Sequence, residues 1–261
     1  MSLVDLEPFL HRLADASGEA ILPFFRTSLR AVDKSGGGGA FDPVTEADRA
    51  GEVAIRRLIN ESLPGHGIIG EEFGPERPDA EHRWVIDPID GTRAFIAGLP
   101  VWGTLIGLMR GQEPVLGLMN QPFTRERFWG DGRRARYRGP GGERPLLVRR
   151  TASLAEATLA TTSPKLFATT DLVRYEAVER ACRLARYGCD CYAYCMVAAG
   201  QIDLVIESGL SPYDIVALIP VIEGAGGIVT GWDGGPAAVG GSVIAAGDPR
   251  LHEQALRLLN G

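Results

Sequence analysis

The stretch WVIDPIDGTRAF, Trp84 to Phe95, sets two aspartates three positions apart behind an apolar run. WVID predicts a buried strand. Pro88 removes a ladder donor and fixes φ, so the strand is expected to end at Asp87. Two neighbouring carboxylates repel, so either a cation lies between Asp87 and Asp90 or one of them holds a proton. The Ile89 carbonyl can turn toward the same point. Gly91 permits an unusual backbone or a close ligand approach, and Thr92 adds a hydroxyl. A helix starting at Gly91-Thr92 would also present unpaired N–H groups to an anion. The stretch therefore suits a hard cation on one side and a phosphate on the other.

Working outward, more carboxylates lie at element ends. DPVTEAD (residues 42–48) carries Asp42, Glu46 and Asp48, and GEEFG (70–74) carries Glu71 and Glu72 directly after the strand GIIG. SPYD brings Asp214 to the first turn of a helix. Singly, each fits an ordinary role as a helix cap, a first-turn charge or a surface charge. Together they favour an all-oxygen site for Mg²⁺ or Mn²⁺ rather than zinc. The cysteines agree: Cys182, Cys189, Cys191 and Cys195 are spaced seven, two and four apart, unlike zinc pairs, and read as reduced core or pocket-wall thiols.

With 261 residues, the chain fits one large domain or two intimately joined halves. A net charge of −6 argues against nucleic acid as the main partner. The amino terminus lacks a secretory pattern, and no apolar run reaches the length of a membrane span, so a soluble cytoplasmic protein is expected.

Along the chain, apolar spacing predicts a helix over residues 3–28, limited by Pro8 and Pro23. DKSGGGGAFD reads as a Gly-rich loop, with Gly36–Gly39 either plainly mobile or a lid over a site. Thr45 to Asp48 resembles a capping box opening a helix to about Glu61. GIIG, WVID, GTLIGLMR and PVLGLMN read as strands. A hairpin-like region follows, whose Arg125, Arg127, Arg133, Arg134, Arg136 and Arg138 are expected on a solvated face. The second half predicts a strand at ATLATT, a helix around 170–186 and a helix over CYAYCMVAAG. A strand at IDLVIE, a helix from Tyr213 to Glu223, strands at GIVTG and SVIAA and a last helix from Pro249 complete it. The alternation implies a layered α/β architecture, without internal repeat or clear linker.

DPVTEAD, GEE, WVIDPIDGT and PYDIVALIPVIEGAGG, in that order and spacing, resemble the four signatures of the inositol monophosphatase superfamily, Mg²⁺-dependent and Li⁺-sensitive phosphatases. The resemblance covers nearly the whole chain. It implies a single domain over 1–261, a five-layer αβαβα sandwich, with approximate halves 1–150 and 151–261. The implied partners are a small phosphomonoester substrate and a second copy in a homodimer. Two departures, Tyr213 for the usual Trp and Gly188-Cys189-Asp190 for a Gly-Ser/Thr-Ala segment, make the stretch YGCDCYAYCMVAAGQIDLVIESGLSPYD similar to the histidinol-phosphatase branch.

By that resemblance, Glu71, Asp87 and the Ile89 carbonyl hold one Mg²⁺, and Asp87, Asp90 and Asp214 a second. A third, weaker ion would lie near Glu71 and Asp48. Water oriented by Glu71 and Thr92, the latter held by Asp48, would attack phosphorus in line, with Gly91 and Thr92 N–H groups on the phosphate. Cys189, Asp190 and Glu207 would face the alcohol, where two carboxylates suit a cationic substrate such as L-histidinol phosphate. Asp190 also fits a plain helix cap. Two other functions remain open: an inositol-1-phosphate or broad sugar-phosphate phosphatase on the same site, and a catalytically silent Mg²⁺-binding regulatory protein.

Overall fold

A computed structural model describes residues 3–27, 32–33 and 43–261. The Gly36–Gly39 loop and Asp42 lie outside the described residues. The chain opens with α1 (Leu3–Ile21), the short ribbon β1 (Val32–Asp33) and β2 (Pro43–Val44), and α2 (Glu46–Ser62). Then follow β3 (Gly67–Gly70), β4 (Gly74–Glu76), β5 (His82–Asp90), α3 (Thr92–Ile96), β6 (Gly103–Arg110) and β7 (Glu113–Gln121). β8 (Glu126–Gly130), β9 (Ala135–Gly139) and β10 (Gly142–Pro145) close the first half. The second half holds β11 (Thr158–Thr161), α4 (Thr169–Ala181), β12 (Leu184–Tyr187), α5 (Asp190–Ala198) and β13 (Leu204–Leu210). It ends with α6 (Pro212–Ile215), α7 (Ile219–Gly224), β14 (Ile228–Gly231), β15 (Gly241–Ala246) and α8 (Pro249–Asn260).

Eight strands form one sheet in the order β10-β9-β8-β7-β6-β5-β3-β4, antiparallel except for β3 beside β5. Five form another, β12-β11-β13-β15-β14, parallel at β12-β11-β13 and antiparallel beyond. Alternate strand residues point to opposite faces, and both faces are covered. On β6 and β7, Ile106 and Leu118 meet Leu10, Leu13 and Ile55 of α1 and α2, whereas Leu105 and Met119 meet Cys195, Ile215 and Leu218. On β13, Val205 faces that same middle layer, while Leu204 and Ile206 face Tyr175 and Val178 of α4 and Leu251 of α8. The order is thus α1/α2, large sheet, α5/α6/α7, small sheet, α4/α8: the αβαβα sandwich that the family resemblance implies. Among the described residues, no helix is long and apolar enough to cross a membrane.

Several expected elements differ. α1 stops at Ile21 and gives way to a 3₁₀ turn over Leu22–Phe24, because Pro23 cannot continue an α-helix. The helix expected around 170–186 ends at Ala181; the residues beyond become β12, recruited by its ladder with β11. The Tyr213–Glu223 helix is two short helices. The break at Val216–Leu218 nests on β6 and β7 so closely that a Cβ on Gly117 would lie 1.9 Å from the Ala217 carbonyl oxygen. Of the arginines expected on a solvated face, Arg127 is buried: it donates to Asp15 at 2.7 Å and Asn120 at 2.9 Å, tying α1 to β7 and β8. The other five are exposed.

The consequential difference is in β5. The strand does not end at Asp87 but runs on through Pro88 to Asp90, with Asp87 opposite Leu105 and Asp90 opposite Gly103. Three steps on β5 thus match two on β6, a one-residue bulge. Residues three apart on a regular strand face opposite ways. The extra residue restores the parity and lets Asp87 and Asp90 face one cavity.

Candidate active site

A cavity of about 380 Å³ opens where the end of β5 meets the middle helices and the small sheet. Glu71, Asp87, Ile89, Asp90, Gly91 and Thr92 line it from the large sheet's side. Asp190, Glu207 and Asp214 line it from the other. Asp87, Asp90 and Asp214 each direct a carboxylate oxygen so that the three lie within 4.8 Å of one another.

Local structure fixes each of these groups. Asp87 Oδ1 accepts from Ile89 N at 2.9 Å, folding the carboxylate over the bulge. Asp90 Oδ2 accepts from Cys191 N at 2.5 Å, so the start of α5 is docked on β5. Asp214 is the N3 residue of a capping box on α6 and accepts from Ser211 N at 2.7 Å. Glu71 follows β3, and its N–H donates to Ile86 O at 3.2 Å. Gly91 is left-handed, φ 90°, and a Cβ there would meet Trp102 Cα at 3.2 Å and Asp190 at 3.3 Å. Glycine is required on both counts.

The electrostatics restate the dilemma of the two aspartates. Burial, then the charges of Glu71, Asp90 and Asp214, pushes the Asp87 carboxyl well above the usual range. Burial, then Asp190 and Asp214, does the same to Asp90. Without a cation both carboxyls are biased toward the protonated form; a divalent ion among them would favour the carboxylates. The donor set is entirely oxygen, which fits a hard divalent cation.

Asp48 is buried behind this wall rather than on it. Its Oδ2 accepts from Thr45 N at 2.8 Å and from the Thr45 hydroxyl at 2.5 Å, the capping box of α2. Burial raises its carboxyl. The Thr92 hydroxyl has one proton and two acceptors, Ile89 O at 3.1 Å and Asp48 Oδ1 at 3.5 Å, with the nearer being the carbonyl.

At the other end, Glu207 is buried on β13, where it accepts from Thr161 Oγ1 at 3.0 Å and Thr162 N at 2.5 Å. Burial dominates those hydrogen bonds and lifts its carboxyl from 4.5 to about 7. Asp190 has a left-handed φ of 43°, which aspartate tolerates better than most side chains, and burial raises its carboxyl to about 6 against the pull of Arg93. It is the first residue of α5 and does not cap it: the N-cap is Cys189, which makes no side-chain cap bond. Cys189 and Gly188 do not line this cavity. The Cys189 thiol turns to the Tyr187 carbonyl, and Gly188 lines a neighbouring depression shared with Arg93 and Asp190.

Two lining residues, Arg93 and Thr162, carried no sequence signal of their own. Arg93 follows DGT directly, and that adjacency was the available hint.

Residues 3–261 match the model of the inositol monophosphatase family. The bifunctional phosphatase IMPL2, chloroplastic, of Arabidopsis thaliana is 46% identical over 259 residues, covering 95% of this chain and 72% of that one. A histidinol-phosphatase of Mycobacterium tuberculosis is 37% identical over 222 residues, covering 84% of this chain and 85% of that one. Among solved structures, that of an inositol monophosphatase from Zymomonas mobilis is similar with a TM-score of 0.88 at 42% identity, over 100% of both chains.

Proposed function

Because the chain belongs to the inositol monophosphatase family of phosphatases, we propose that it is a Mg²⁺-dependent phosphomonoesterase acting on L-histidinol phosphate. One observation carries the reading: a single cavity holds three clustered carboxylates and, outside that cluster, two more, the half-buried Asp190 and the buried Glu207. The first group suits two or three Mg²⁺ ions; the second suits a cationic alcohol. The name of the M. tuberculosis relative supports the same substrate.

Asp87, Asp90 and Asp214, with Glu71 and the Ile89 carbonyl, would hold the ions. A divalent ion held there would supply a lowered pKa for bound water and positive charge to offset that on the phosphoryl and leaving oxygens. Glu71 and Thr92 orient the attacking water. The Gly91 and Thr92 N–H groups at the start of α3 would hold the phosphate oxygens. Asp190 and Glu207 pair with the ammonium and imidazole of the leaving alcohol and so align the ester bond with the attacking oxygen. No covalent phosphoenzyme is required.

The test is phosphate release from L-histidinol phosphate, inositol 1-phosphate, glycerol 2-phosphate and p-nitrophenyl phosphate, with Mg²⁺ and with chelator. The highest kcat/KM is expected for L-histidinol phosphate. Preference for inositol 1-phosphate would transfer the assignment to a neutral alcohol, and no Mg²⁺-dependent turnover on any ester would leave a silent binding protein.

A further inference from the structure

Three charged residues, Asp48, Glu52 and Arg56, recur every fourth position on α2 and share the face packed on the large sheet. All three are buried, with Glu52 fully so. Buried charges are costly even when paired, and a covering helix could fill these positions with apolar side chains at no loss of stability. Their partners explain their presence. Glu52 Oε2 accepts from Glu72 N at 2.8 Å, and Oε1 accepts from Phe73 N at 3.3 Å and Arg56 Nε at 2.7 Å. Arg56 reaches on to Glu76 at 2.7 Å and to the Gly74 carbonyl. The turn that carries Glu71, between β3 and β4, is therefore gripped from beneath along its length. The fit is close: a Cβ on Gly70 would lie 2.0 Å from Glu52 Oε1. One helical turn earlier, Asp48 stands 3.5 Å from the Thr92 hydroxyl. A single helix face thus backs both the Glu71 turn and Thr92 on the large sheet's side of the cavity.

We propose that Glu52 is a positioning residue that sets the cation affinity of the site by fixing the Glu71–Phe73 turn. This rests on the reading of Glu71 as a cation ligand. Glu52 does not line the cavity. It fixes the two N–H groups after Glu71, while Glu71 N is tied to β5, so the carboxylate of Glu71 has a defined origin from which to reach the cavity. Supports of this kind behind a ligand are worth about 10- to 100-fold in metal affinity.

Titration calorimetry with Mg²⁺ tests the proposal on the whole chain, with Mg²⁺-induced elevation of Tm as a second readout. In Glu52→Gln, one oxygen becomes an NH₂ that opposes a donor. Glu52→Leu/Arg56→Met removes the pair without leaving a lone buried charge. Each variant is expected to bind Mg²⁺ at least about tenfold more weakly. The KM for phosphoester at saturating Mg²⁺ should stay within about twofold, because the substrate-facing groups are untouched. A purely structural Glu52 would lower the Tm of the Mg²⁺-free protein and leave Mg²⁺ affinity as in the wild type, and that result overturns the proposal. Glu52→Asp keeps the Arg56 pair while withdrawing the carboxylate by one methylene, and is read the same way if the other variants do not fold. Failure of the wild type to bind Mg²⁺ would instead overturn the reading of Glu71, and this inference with it.

Discussion

Glu207 gives the sharpest test of the cationic alcohol pocket. Its carboxyl is raised from 4.5 to about 7, so near pH 7 the empty site holds it about half protonated. An ammonium or imidazolium beside it favours the carboxylate, because opposite charge stabilises the ionised form. Binding L-histidinol at pH 7 should therefore expel about half a proton from Glu207. From pH 6 to pH 8 the ionised fraction of the empty site rises about tenfold, and this residue's contribution to affinity should strengthen by the same factor. Calorimetric titration in two buffers of different ionisation heat counts the protons released. Performing it on wild type and on Glu207→Gln, and taking the difference, cancels the titration of the ligand's own imidazole. The expected difference is about half a proton for L-histidinol and none for glycerol. A difference near zero for L-histidinol, or an equal one for both alcohols, would refute the cation-pairing role. Glu207 would then be a structural carboxyl serving Thr161 and Thr162.

Three further outcomes follow from the same geometry. Asp87→Asn should lower kcat by at least about 10²-fold, comparable to losing one strong electrostatic group, while raising the Tm of the chelator-treated protein by relieving buried repulsion. Near wild-type turnover at saturating Mg²⁺ would remove Asp87 from the cation site. Thr92→Ala should reduce kcat with KM little changed, since its hydroxyl acts mainly in the transition state; a rise in KM alone would make it a phosphate contact. Asp190→Ala should cost about 2–5 kcal/mol in kcat/KM on L-histidinol phosphate, by analogy with truncated buried charge pairs, and almost nothing on glycerol 2-phosphate. Equal losses on both esters would deny Asp190 any part in selectivity.

How much the sequence discloses depends on the range of the interactions involved. The capping box at Thr45–Asp48 and the alternation of strands and helices rest on local spacing and are legible without coordinates, whereas the αβαβα order of layers comes through the family resemblance. The bulge between Asp87 and Asp90 is not, because nothing in DPIDGT states what lies opposite on β6. The strand Leu184–Tyr187 looks helical in isolation and is decided by a ladder to β11. Arg127 looks like its exposed neighbours until α1 supplies Asp15. In the cavity, the acidic segments announce themselves one by one. Their convergence is visible from sequence only through family resemblance, since α6 and β5 meet through the middle layer of the fold. Glu52 is the plainest omission: it reads as an ordinary polar residue on a surface helix until the turn beneath it is seen.

β12 is the outermost strand of the small sheet, and Asp190 stands just beyond it. A border strand has one neighbour to satisfy, so changes of length or side chain there disturb few other contacts. Asp87 and Asp90, by contrast, lie within the eight-stranded sheet, where one deletion would turn a carboxylate to the wrong face. Variation is therefore cheaper beside Asp190 than at Asp87 and Asp90, or at Glu207 on the interior strand β13. A lineage built on this frame can vary the border of its small sheet while the carboxylates carried by the large sheet are inherited intact.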